Sequence, residues 1–190
     1  MPKNKNIEKL YKWFLSKNGR KESTSVSLQS GIYLFNKLEE LKPKFILDMG
    51  SGFSTLVIRT WQQENFNSLD PLCYTTDLDP AWLPVTKAEV EELGLNADNF
   101  YLQSDFGKLK DTEAKFDFMF VDLAGRKERM EKKDLIVSYL KPNGVMALDD
   151  WHRSNYRCVM GPYLESQGFT VIERWETLDR FSRFMVEAVK

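Results

Sequence analysis

An open α/β sheet, parallel over most of its width, covered by helices on both faces and finished by an antiparallel hairpin, is the fold this sequence predicts. Three observations carry it. Short apolar runs alternate with helical stretches from Lys44 onward; a glycine-rich turn follows the first of those runs; and the last two apolar segments have no room for a helix between them.

The elements follow in order. Ile7, Leu10, Tyr11, Phe14 and Leu15 recur at helical spacing, as do Ile32, Phe35, Leu38 and Leu41 after the Ser/Thr-rich stretch from Ser23 to Ser27, so two helices come first. Phe45-Ile46-Leu47 then opens the sheet, before a helix over about residues 54–64. Leu72 to Thr76 and Phe100 to Leu102 are the next strands, with a helix near 85–93 between them. Phe116 to Val121 precedes a helix over 126–140, and Val145 to Leu148 precedes one near 154–165. Phe169 to Trp175 and Phe181 to Val189, joined by Glu176-Thr177-Leu178-Asp179, complete a seven-stranded sheet as an antiparallel pair. The expected organisation is one domain, with residues 1–42 as a helical cap or lid and residues 43–190 as the ligand-binding part.

Composition narrows the class. With 42% hydrophobic and 29% charged residues of both signs, the chain is built to fold as an ordinary globular protein. A formal charge of -1 gives no global attraction for nucleic acid, and the basic residues between Lys3 and Lys21 read as a solvated helix face. Cys73 and Cys158 fit no metal spacing and are expected to be reduced, buried thiols. No secretory signal and no run of ~20 apolar residues is present, so a cytoplasmic protein without a membrane segment is expected.

The turn Asp48-Met49-Gly50-Ser51-Gly52-Phe53-Ser54-Thr55 sits where the first strand meets its helix, at the strand ends where open parallel sheets bind ligands. Gly50 and Gly52 let a ligand approach the backbone, and Ser54 or Thr55 can cap a helix whose free N–H groups favour a carboxylate. Asp77 closes the second strand, where its carboxylate can accept both hydroxyls of a ribose; Asp79 reads as the cap of the following helix, with Pro80 at its first position. After the third strand, Asp105 offers an acceptor for an exocyclic amine and Phe106 a ring to cover a purine. The plainer readings are a strand-to-helix turn for the glycines and a local loop cap for Asp105.

Phe45 to Gly52 resembles the first motif of the class I S-adenosylmethionine-dependent methyltransferases, and Leu140-Lys141-Pro142-Asn143-Gly144-Val145 is similar to the start of their fifth strand. The similarity in element order runs from about Val26 to Lys190. It implies a Rossmann-like class I methyltransferase fold with S-adenosylmethionine as cofactor. Gly50, Ser51 and Gly52 would line its methionine part, Asp77 would hold the ribose, and Asp105 and Phe106 would meet the adenine. Asp48 would orient the loop or the cofactor's amino group.

Asp122 ends the fourth strand and Asp149-Asp150 the fifth, so three carboxylates can converge across neighbouring strands ~4.8 Å apart. Such charges repel unless their pKa values rise or a cation neutralises them, and oxygen ligands suit Mg²⁺. The arrangement is similar to metal-dependent O-methyltransferases of the catechol and macrocin types, which implies Mg²⁺ on Asp122, Asp149 and Asp150 and a small acceptor methylated at oxygen. Leu123-Ala124-Gly125-Arg126 lacks the lysine or histidine those enzymes carry there. Without metal, Asp122 would bond the cofactor's amino group, Asp149 would line the site and Asp150 would cap the helix after Trp151. Asp149 and His152 are the candidate catalytic groups, His152 as general base; a packing role is its plainer reading.

The helices before residue 42, with Trp151, Tyr156 and Tyr163, are expected to shape the acceptor pocket. The loop after Asp122 has neither the Pro-Pro-aromatic nor the Pro-Cys signature of enzymes that methylate nucleic-acid bases, so a small-molecule partner is expected. Three alternatives stand beside this reading. A dehydrogenase would want a small residue at Thr55 and no acid at Asp48; a non-catalytic S-adenosylmethionine-binding protein would need no reactive acceptor site; a metal-independent N-methyltransferase would leave the carboxylates without an ion.

Overall fold

The computed structural model describes residues 3–17, 19–106, 115–123 and 125–190. Its strands are β1 (Phe45–Met49), β2 (Leu72–Asp77), β3 (Phe100–Leu102), β4 (Phe116–Val121), β5 (Leu140–Leu148), β6 (Thr170–Arg174) and β7 (Met185–Val189). They form one sheet in the order β3-β2-β1-β4-β5-β7-β6. β1 to β5 are parallel, and β7 runs antiparallel to both β5 and β6.

The helices are α1 (Lys3–Leu15), α2 (Leu28–Leu41), α3 (Phe53–Leu69), α4 (Trp82–Glu92), α5 (Gln103–Phe106), α6 (Arg126–Glu131), α7 (Lys133–Ser138) and α8 (Ser154–Ser166). Alternation along the strands sorts them into two layers. Ile46, Phe118, Phe120 and Ala147 pack with α1, α2 and α3, while Leu47, Met119, Val121 and Met146 pack with α7 and α8. Both faces are therefore dry, which is why the central strands read as unbroken apolar runs. Gly31 on α2 lets Phe53 of α3 come close: an added Cβ would lie 2.4 Å from its ring.

The predicted 126–140 helix is two short helices meeting at Lys132, whose φ of -99° and ψ of 11° leave the helical region. β5 begins earlier than the apolar run suggests, because Leu140 already pairs with Phe116 before the register shifts. β7 begins later, because Asp179 Oδ1 accepts from the N–H groups of Phe181 and Arg183 and folds those residues into a turn. Cys73 is buried as expected, but Cys158 is exposed on α8, since that helix turns only one side to the sheet. Among the described residues, no helix is long and apolar enough to cross a membrane.

Candidate functional site

Strand order reverses between β1 and β4, and the chain ends there are tied edge to edge. Gly50 N–H donates to Thr76 O (2.8 Å), Asp122 N–H to Met49 O (2.7 Å) and Asp149 N–H to Val121 O (3.1 Å). These bonds extend the ladder past the strands and bring Gly50, Asp77, Asp122 and Asp149 onto one rim. A cavity of about 420 Å³ opens above part of it.

The two glycines differ in purpose. Gly50 has φ +112°, and a Cβ there would lie 2.5 Å from Asp122 O, so the protein itself demands glycine. Gly52 lines the cavity and a Cβ on it would meet nothing within 4 Å. The chain itself therefore does not require a glycine there, unlike at Gly50. Asp48 is fully buried and accepts from Ser54 Oγ–H (3.1 Å) and Thr55 Oγ–H (2.6 Å), while Thr55 Oγ1 accepts from Gly52 N–H (3.1 Å). The two hydroxyls thus tie the first turn of α3 to β1 through Asp48. Burial pushes the Asp48 carboxyl up to about 7 against the pull of those hydroxyls.

Asp77 Oδ2 accepts from Ser51 N–H (2.7 Å) and Ser51 Oγ–H (2.6 Å), and its Oδ1 accepts from Asp79 N–H (3.0 Å). Asp79 Oδ1 in turn accepts from Ala81 and Trp82 N–H and so braces the turn into α4, but the helix starts at Trp82, so Pro80 lies ahead of its first position instead of occupying it. α5 carries Asp105 and Phe106, whose side chains lie outside the described part of the structure.

The opposite wall comes from the N-terminal segment, through Phe14, Arg20, Thr24, Ser25 and Val26. Arg20 corrects the reading of the basic stretch as solvated throughout: it is 8% exposed and ion-paired to Glu89 of α4. Its guanidinium lies 3.8 Å from the Trp82 ring, whose Nε1–H donates to Ser51 O (2.9 Å). Residues 22–25 are held by Arg183, which donates to the carbonyls of Glu22 (2.9 Å), Ser23 (3.1 Å) and Ser25 (3.0 Å) while Asp179 fixes its Nε–H (2.8 Å).

At the far end, Asp122 and Asp150 line the cavity together with Arg129 of α6. Arg129 Nη2 donates to Asp122 Oδ1 (2.8 Å) and Asp150 Oδ2 (3.0 Å), Nη1 to Asp149 O (3.3 Å) and Nε to Leu123 O (3.0 Å). Its side chain is 2% exposed. Burial first, and then the Asp149 charge, raises the Asp122 carboxyl well above the usual carboxylate range despite Arg129. The Asp149 carboxyl is also raised, by burial and then by Asp150.

The expected Mg²⁺ triad does not fit this geometry, because a fixed guanidinium already bridges two of its three carboxylates. Among the described residues, no three His, Cys, Asp or Glu side chains are grouped to hold a metal. The capping alternative for Asp150 fails too: only its carbonyl approaches the start of α8, accepting from Arg153 N–H (3.0 Å), while its carboxylate serves Arg129.

Neither a protein-family profile nor a curated protein sequence matches the chain. Solved structures do. The S-adenosylhomocysteine-bound methyltransferase PaMTH1 of Podospora anserina matches over 99% of this chain and 88% of its own, with a TM-score of 0.70 at 18% identity. The chain has the class I methyltransferase fold. Cofactor-bound Rv0187 from MTB shares it (100% and 89% covered, TM-score 0.66, 16% identity), as does precorrin-6y C5,15-methyltransferase of Geobacter metallireducens GS-15 (90% and 93%, 0.64, 16%).

Within the methyltransferase fold, the remaining sequence expectations find these places. Asp149 and His152 are not among the residues that line the cavity. His152 is half-buried, both ring nitrogens lie inside without a hydrogen-bond partner among the described residues, and burial lowers its pKa. Trp151 and Tyr156 are core residues in edge-on contact at 6.0 Å, and Tyr163 binds Asp134 on the surface (2.7 Å), so none of the three shapes this cavity. Sequence reasoning missed Arg20, Trp82 and Arg129, which occupy polar or helical stretches with no motif of their own. For Arg129 the available signal was three carboxylates that required a counter-cation from somewhere in the chain.

Proposed function

We propose that the chain binds S-adenosylmethionine in the 420 Å³ cavity and transfers its methyl group to an oxygen of a small acceptor. The observation that carries the reading is the pairing of an unfilled Gly52 edge with the Asp77 carboxylate across one cavity, whose volume falls in the range of small-molecule sites, about 300–1,000 Å³. In this reading Gly50, Ser51 and Gly52 receive the methionine part, and Asp77 exchanges its Ser51 bonds for ribose hydroxyls. Asp48 acts one step removed, by fixing the loop through Ser54 and Thr55. Asp105 and Phe106 are assigned to the adenine from their position after β3.

The bound cofactor supplies an electrophilic methyl group on sulfonium. The protein's own task is to align a lone pair with it and keep water out. Asp122 is the cavity carboxylate suited to take the acceptor's proton, because its raised pKa makes it a stronger base than an ordinary aspartate. Asp149 supports it from the neighbouring β5 end, where its charge helps to raise the Asp122 pKa, while His152 is given no part in the transfer. An amine acceptor is the second reading, favoured by the two carboxylates, Asp122 and Asp150, that face the cavity.

The test is transfer from methyl-labelled S-adenosylmethionine to fractionated small metabolites, with products identified by mass spectrometry. A labelled methyl ether or ester supports the proposal and a labelled methylamine the second reading. Binding of S-adenosylhomocysteine without any transfer would leave a binding protein only.

A further inference from the structure

The acidic end of the cavity carries its own cation. We infer that Arg129 does for Asp122 and Asp150 what a divalent ion would do there, and that methyl transfer by this chain needs no metal. The activity half of this inference rests on the proposed function; the binding half does not.

Four recorded bonds from one guanidinium end on the oxygens at the β4 and β5 ends: two carboxylates, the Asp149 carbonyl and the Leu123 carbonyl. An oxygen-seeking cation would draw on the same oxygens. Arg129 cannot step aside cheaply. Its side chain is 2% exposed, its N–H donates to Gly125 O (3.3 Å) at the start of α6, and the Tyr156 ring stands 5.6 Å from the guanidinium. A planar fork also holds carboxylates at set angles, which a mobile ion does not. Arg129 is accordingly a positioning residue: it fixes the direction in which Asp122 meets the acceptor, and it keeps charge balance without drawing an ion from solution.

Mn²⁺ followed by electron paramagnetic resonance is the probe, since the free ion's six-line signal is lost on binding. The wild-type protein should leave the signal undiminished at equimolar Mn²⁺, and its transfer rate should change less than about twofold when chelator is added. Arg129→Ala should take up one Mn²⁺ per chain, and Arg129→Ala with Asp150→Asn should lose that uptake. Uptake by the wild type that disappears in Asp150→Asn would overturn the inference, and so would a folded Arg129→Ala that takes up none. If Arg129→Ala does not fold, the wild-type titration decides alone. Wild-type silence toward Mn²⁺ together with no affinity for S-adenosylhomocysteine would sink the methyl-transfer reading and leave the cation assignment standing.

Discussion

The two ends of the cavity neutralise their carboxylates in opposite ways. At the glycine loop, Asp77 takes its hydrogen bonds from the Ser51 hydroxyl and from backbone N–H groups; at the β4–β5 end, Asp122 and Asp150 share a buried guanidinium. Neutral donors can be traded for ligand hydroxyls at little cost, whereas parting a buried ion pair strands a charge and costs about 3–5 kcal/mol. One end is therefore built to exchange partners and the other to stay fixed. That division suits the proposed reaction, in which the cofactor would be replaced every turnover while the acceptor end keeps its shape.

The strongest way to break this comparison is at Gly50. Gly50→Ala forces a Cβ into the Asp122 carbonyl at a left-handed φ and should destabilise the fold by on the order of 3 kcal/mol, read as a lower melting temperature by circular dichroism. Asp77→Ala should keep the melting temperature within a few degrees but weaken S-adenosylhomocysteine binding about 100-fold, the worth of two bonds to a charged acceptor. Unchanged affinity would mean the ribose sits elsewhere. Gly52→Ala separates the glycines: melting like the wild type, with affinity reduced about tenfold or more, because the methyl fills ligand space and not protein space.

A separate effect belongs to pH. The folded-state pKa of Asp48 is raised from 3.8 to about 7, so the native state binds a proton more tightly than the unfolded chain, and stability must fall as pH rises through that interval. Asp149 and Asp122, raised likewise, add the same sign, and the lowered pKa of the single histidine, His152, opposes them only in part. Melting temperature should therefore decline from about pH 4 to pH 7, and Asp48→Asn should flatten the slope without abolishing it. A slope identical in the two proteins would show that Asp48 stays charged throughout.

The contrast also explains what was legible in the sequence. β1 to β5 and the final hairpin are readable because a sheet buried on both faces writes long apolar runs, Gly50 because its positive φ and close approach to Asp122 O admit little else, and Asp77 because an acid closes the apolar run of β2. The carboxylates at the β4 and β5 ends were readable by the same strand logic. Their counter-ion was not. Arg129 reaches them across the sheet ends from a charged helical stretch, Arg126–Glu131, in which nothing local separates a buried arginine from solvated ones. Arg20 was hidden in the same manner, because its partner Glu89 lies far along the chain on α4. Ion pairs distant in sequence leave no periodicity, so the metal expectation arose from counting the anions without the cation.

Isothermal titration calorimetry of the wild-type protein with S-adenosylhomocysteine, and with NAD in parallel, is the most direct test of the cavity. The account predicts one saturable site per chain for S-adenosylhomocysteine and none for NAD. Absence of heat with S-adenosylhomocysteine, or tight binding of NAD alone, would contradict it.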